Sequence, residues 1–420
     1  MEKYKLKNKM TVLLTPQKET QAVTVLVLVG VGSRYETKKI RGITHFLEHM
    51  MFKGTPKRPT TLALSKELDK IGAEFNAYTD KDHTGYYIKS NTEHINLVLD
   101  VLSDMVWNSK LEQKEIDREK GTIIEEINMY EDNPMRMIGW QIEELMYNKS
   151  SLAWDEGGLK QTVRVIDCLK MKKFKNKHYY PENMVISIAG NFKQDKIKNL
   201  IEKYFENNLK NKITEFKKFE KFQKNPQLKI KYKTTEQAHL AFGFLGPKYT
   251  SKDLIPTQIL SNILGSNMSS RLFINIRERQ GLCYFIRSSL NIYQDIGNLT
   301  IQAGLDKKRI YQAVELILEE LRKFKKQGIT YEELKRAKEN LKGRMILHLE
   351  DSSAVATWYG NQELLIKKIK TPEEKIHDIM KVTKVDVEKV AKKMFQTNKI
   401  NLALIGPFKD KNKFLNILKI

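Results

Sequence analysis

Cysteine is nearly absent: Cys168 and Cys283 are the two in 420 residues. They stand far apart and neither belongs to a Cys-x-x-Cys pair, which excludes a disulfide framework and makes a reducing compartment the simplest expectation. Long apolar runs are missing too. The longest, Ala22 to Gly32, is too short to cross a bilayer and, rich in valine, reads as a buried strand. Met1-Glu2-Lys3-Tyr4-Lys5-Leu6-Lys7-Asn8 lacks the apolar stretch of a signal peptide, so a cytoplasmic location is expected. Acidic residues are outnumbered, 51 against 74 basic, for a net charge of +23. Such an excess can mark a nucleic-acid or membrane partner. Here the lysines are scattered over helices and linkers beside plentiful Asn and Ile, and no recognition module is present. A general lysine bias explains the charge as easily, and neither nucleic acid nor membrane is expected as a partner.

Of the eight histidines, two stand in Gly42-Ile43-Thr44-His45-Phe46-Leu47-Glu48-His49-Met50-Met51-Phe52-Lys53-Gly54-Thr55. On a helix, His45 and His49 are one turn apart and project the same way, with Glu48 on the neighbouring row. Two imidazoles so placed can bind one metal ion while the carboxylate serves as a base for water activated there. The order His-x-x-Glu-His is the reverse of the better-known His-Glu-x-x-His zinc motif. Two histidines and a glutamate could also make an ordinary polar patch. Phe46, Leu47, Met50, Met51 and Phe52 argue against that, because a segment apolar nearly all round is buried, and buried polar groups need partners.

Around this stretch the chain follows one plan twice. The strand at Ala22 leads into the histidine helix, which stops at Gly54. A helix from about Thr61 closes at Gly72. Then come two strands, Ala73–Thr79 and His83–Ser90, and an amphipathic helix with Ile95, Leu99, Leu102 and Val106 on one face. A charged helix runs from Gln113 to about Tyr130, and a buried strand ends at Gly190. Residues 206–226, rich in Lys and Asn, read as a linker. The strand at Ala238 then repeats that at Ala22, an offset of 216, and Gly406 repeats Gly190 at the same offset. Glu350-Asp351 with Trp358 echoes Glu131-Asp132 with Trp140. The expected fold class is therefore α+β: two homologous domains from an internal duplication, 1–205 and 227–420, each a mainly antiparallel sheet packed with helices. Positions 261 and 265, offset by 216 from the histidines, are Ser and Gly, so the second domain cannot hold the metal.

A catalytic zinc usually has three protein ligands. On the helix containing Asp117 to Met129, Glu119, Ile123 and Glu126 lie near one face and Glu125 is rotated away. By composition alone any of these glutamates could belong to a solvated surface. In the second half, Arg277 and Tyr284 read by themselves as a surface cation and a core aromatic.

His45-Phe46-Leu47-Glu48-His49 with Phe52-Lys53-Gly54-Thr55, then Asn76-Ala77-Tyr78-Thr79, then Asp117-Arg118-Glu119 and Glu126, resembles the pitrilysin family of zinc peptidases, most closely the branch of the mitochondrial processing peptidase and its bacterial relatives. The similarity covers nearly the whole chain. It implies a zinc metalloendopeptidase with one ion per chain held by His45, His49 and Glu126, the last favoured over Glu125 by the family's spacing. It implies Glu48 as base and Glu119 as the residue orienting a histidine. It also implies Asn76 and Ala77 on a substrate-binding edge strand, and Arg277 and Tyr284 holding the substrate carbonyl and the developing oxyanion. The partners it implies are peptides and a second chain, in a homodimer or a heterodimer with a paralogue, enclosing a chamber. A non-catalytic core subunit of the same family is the alternative, although such relatives usually lose part of the histidine motif.

Overall fold

A computed structural model describes the chain except for residues 208, 212–214 and 222. It is mixed α and β, with two sheets. Six strands, β1 (Glu2–Lys5), β2 (Thr11–Pro16), β3 (Ala22–Val29), β4 (Glu74–Thr79), β5 (Thr84–Asn91) and β6 (Met184–Gly190), form the first in the order β1-β2-β6-β3-β5-β4. Five more, β7 (Gln227–Tyr232), β8 (Gln237–Gly246), β9 (Cys283–Ile292), β10 (Gly297–Asp306) and β11 (Asn401–Gly406), form the second in the order β7-β11-β8-β10-β9. Shifted by the repeat, β2-β6-β3-β5-β4 becomes β7-β11-β8-β10-β9, so the duplication read from two strands extends to the whole topology. In each sheet one pair is parallel, β2 with β6 and β7 with β11, and the others are antiparallel.

The central strands are the apolar runs. Ala-Val-Thr-Val-Leu-Val-Leu-Val of β3 suits a strand covered on both faces, because β-branched side chains fit the pleat, and from Val23 onward it is buried. β4 lies at the sheet's edge, bonded to β5 alone, with Asn76 opposite Tyr87 and Ala77 opposite Tyr86. The histidine helix is regular from Ile43 to Met50, and the chain then leaves it through short turns, Phe52 N–H donating to His49 and Lys53 N–H to Met50.

The compact units interleave along the chain and so differ from a division at 206–226. One comprises Met1–Asn128, Trp154–Lys217 and Leu347–Ile369; the other comprises Met129–Ala153, Lys218–Ile346 and Lys370–Ile420. Thus the helix Pro134–Tyr147 buries Ile138 and Ile142 with Ala241 and Ala403 of the second sheet, whereas the helix Ser352–Ile366 buries Val355 and Ala356 against Leu13, Leu26 and Leu28 of the first. The physical reason is the sheet's second face, which each sheet covers with a helix from the other half of the sequence. Among the described residues of 206–226 there is neither helix nor strand. None of the described helices is long and apolar enough to cross a membrane.

Two histidines outside the motif are structural. His83, in the turn between β4 and β5, and His178 are buried with both ring nitrogens lacking a hydrogen-bond partner, and burial pushes each imidazole down to about 4. The unfolded chain takes up these protons near the ordinary histidine value, whereas the folded chain does so near 4. Their stabilisation is therefore complete above about 6.5 and lost as pH falls from there towards 4. The urea midpoint is expected to be lower at pH 5 than at pH 7. His178→Phe, which keeps the ring contacts with Tyr35 and Phe174, should narrow that gap.

Candidate metal centre

The histidine helix starts at Gly42, whose φ of +88° favours glycine; a Cβ there would also meet the Gly157 carbonyl oxygen at 2.5 Å. No side chain of the preceding loop caps this helix in the usual way. Instead the buried carboxylate of Glu36 accepts from the N–H groups of Gly42 (2.8 Å) and Thr44 (2.9 Å), and burial pushes its pKa up to about 8. Ile43, Phe46, Leu47 and Met50 fix the helix in the first core.

His45 and His49 then point the same way, their Nε2 atoms 3.2 Å apart. The second helix of the site, Gln113–Asp132, is held by Ile116, Ile123 and Ile127 and brings Glu126 Oε2 to 3.7 Å from His45 Nε2 and 3.6 Å from His49 Nε2. Glu125 is exposed. Among the described residues, His45, His49 and Glu126 are the one group of three or more such side chains able to hold a metal ion. Tetrahedral coordination with bonds of about 2.0–2.2 Å separates its ligands by roughly 3.3–3.6 Å. The three donor separations are close to that range, and two imidazoles with one carboxylate are a donor set suited to zinc.

Glu119, seven residues before Glu126, has one oxygen 2.9 Å from His49 Nδ1 and the other 2.5 Å from Lys53 Nζ. Burial alone would raise the Glu119 carboxyl, but hydrogen bonds from His49 and Lys53 outweigh it and hold the group below its usual value. An anionic Glu119 makes His49 Nδ1 the donor, leaving Nε2 with its lone pair towards His45 and Glu126. Burial also works to lower the His49 imidazole, yet the Glu119 bond and the charges of Glu48, Glu119 and Glu126 carry it above the ordinary value. His45 moves the other way, to about 4, through burial and the nearby His49.

Glu48 is not one of the three donors. It is buried, and its Oε2 accepts a 2.5 Å hydrogen bond from the Thr79 hydroxyl at the end of β4. Burial raises its carboxyl above the usual range.

Of the residues singled out from sequence, His45, Glu48, His49, Glu119 and Glu126 come together, and Asn76 and Ala77 lie on the edge strand that ends at Thr79. Arg277 and Tyr284 belong to the other compact unit, where the Arg277 guanidinium carbon is 5.7 Å from the Tyr284 ring. Tyr284, 76% exposed, is not a core aromatic. It is the second residue of β9, the edge strand of the second sheet. Burial raises the neighbouring Cys283 thiol to about 11, which suits a packing role. Ser261, in place of the first histidine, bonds Ser288 at 2.8 Å within the second core. Glu36 and Thr79 were not legible as site residues. Thr79 sits in a quoted motif, but nothing in its spacing shows that it reaches Glu48.

Two duplicated α+β units, one with a His-x-x-Glu-His helix and a glutamate converging on one point, define a chain of the inverted-motif metallopeptidase class. The family model described as insulinase (peptidase family M16) matches residues 11–155, and that of the peptidase M16 inactive domain matches residues 169–341. The chain is 37% identical over 408 residues to the uncharacterized zinc protease YmxG of Bacillus subtilis, covering 97% of this chain and 98% of that one. It is 32% identical to an uncharacterized zinc protease of Streptomyces coelicolor, over 93% and 86% of the two chains. The chain therefore belongs to the insulinase family, peptidase family M16. A solved protease from Helicobacter pylori superimposes with a TM-score of 0.90 at 25% identity, covering 97% of this chain and 99% of that one. A chain of complex III from Candida albicans, at 17% identity, a TM-score of 0.84 and 100% of each chain, shares the fold.

Proposed function

We propose that this chain is a zinc-dependent endopeptidase acting on peptides or unfolded segments, with one ion held by His45, His49 and Glu126. The observation that carries the reading is the convergence of three donor atoms, none more than 3.7 Å from another, beside a buried carboxylate that is not among them. Zinc at such a site supplies a Lewis acid that acidifies water and polarises a carbonyl. Glu48 takes the proton from the attacking water and delivers it to the leaving amine; burial raises its carboxyl above the usual range, which makes it the better base for the first half of the transfer. Thr79 orients that carboxylate through its hydroxyl. Glu119 holds His49. Along β4, the edge strand that carries Asn76 and Ala77, the outward main-chain groups of alternate residues are offered to an extended peptide, which gives affinity with little demand on substrate sequence.

Arg277 holds a substrate carbonyl, and Tyr284 donates to the developing oxyanion. Since each chain carries both constellations, a homodimer enclosing a chamber suffices, with the second unit of one chain serving the first of its partner; a heterodimer with a paralogue would serve as well. The two free cysteines suit the cytoplasm.

Chelation is the direct test of the function. Dialysis against a strong chelator is expected to stop cleavage of a mixed peptide pool, and one equivalent of zinc should restore it. Cleavage that persists in the dialysed protein, with zinc verified absent, would refute the zinc reading.

A further inference from the structure

Lys53 lies four residues beyond His49, in the turn that leaves the histidine helix after Met50. Its ammonium is 2.5 Å from Glu119 Oε2, while Glu119 Oε1 is 2.9 Å from His49 Nδ1. This is not a surface ion pair of the kind that contributes little, because the side chain of Glu119 is 7% exposed and that of Lys53 23%. With the imidazole as its one partner, the carboxylate would keep one oxygen in a nearly dry place with no cation. That leaves the carboxylate free to swing away from His49.

We infer that Lys53 is a positioning residue for the metal centre: by holding Glu119 in one orientation, it fixes the His49 ring so that Nε2 faces His45 and Glu126. Lys53 acts through Glu119 and is not itself placed among the donors. The inference rests on the zinc reading above, and extends a histidine–carboxylate pair into a lysine–carboxylate–histidine chain.

The test is zinc affinity by chelator competition, which reads the ion's binding and not turnover. Lys53→Met is expected to weaken zinc about tenfold, the lower end of what loss of an outer partner costs. Lys53→Arg should recover most of the loss. In a Glu119→Gln background, where no anion remains to be held, adding Lys53→Met should change affinity less than twofold. The zinc-free Lys53→Met protein should keep the wild-type urea midpoint. If it does not, Lys53→Gln, which keeps a polar end in the same turn, should show the same loss of affinity with the midpoint intact. Wild-type affinity in a folded Lys53→Met or Lys53→Gln protein, or the same tenfold loss with and without Glu119, would overturn the inference alone. A wild-type chain that binds no zinc would overturn the zinc reading, and this inference with it.

Discussion

Glu48→Gln is expected to lower kcat for peptide hydrolysis by about 10²- to 10⁴-fold while leaving zinc content and the fold intact. The amide matches the carboxylate in shape and its oxygen can still accept from the Thr79 hydroxyl, so the side chain should stay where it is. It cannot take up a proton. Because Glu48 stands outside the trio of donors, metal retention and loss of turnover should separate cleanly. A Glu48→Gln protein that retained both zinc and turnover would show that proton transfer is carried by another group.

The second large effect concerns the third ligand. Glu126→Gln should weaken zinc by at least the roughly 10- to 100-fold that loss of a mere outer partner costs, whereas Glu125→Gln, one residue away, should leave it unchanged. The difference lies in the turn of the helix: Ile123 and Ile127 bury one face, Glu126 borders that face, and Glu125 points to solvent. Zinc per chain after dialysis against a weak chelator checks both variants at once. Equal losses in the two would mean that the helix contributes general charge and not a ligand.

How much of this was readable in the chain depends on the range of the interaction. The strands at Ala22 and Asn401 announce themselves because consecutive β-branched and aliphatic residues fit only a doubly covered sheet, and the helix spacing of His45 and His49 is local geometry. The recurrence of β2-β6-β3-β5-β4 as β7-β11-β8-β10-β9 follows from the offset of 216. The exchange of the two helices does not. Met137, Ile138, Ile142 and Met146 declare an apolar face on the helix Pro134–Tyr147, and its echo after Asp351 declares another, yet an apolar face carries no address for one sheet over its homologue. Glu36, Thr79 and Lys53 escaped as site residues for a similar reason. Their partners are reached through space, and a glutamate, threonine or lysine in a loop or at a strand end has no spacing to betray it. Taken by itself, beside Leu282 and Cys283, Tyr284 looks like core, but the strand's alternation turns it outward at the sheet's edge.

The convergence of His45, His49 and Glu126 on a single ion is tested most directly by crystals of the zinc-loaded protein, measured on both sides of the zinc absorption edge. The expected result is one anomalous peak per chain in the first unit, about 2.0–2.2 Å from Nε2 of each histidine and from a Glu126 oxygen, with Glu48 outside bonding distance. A peak bound elsewhere, or one coordinated by Glu48 or Glu119 in place of Glu126, would contradict it.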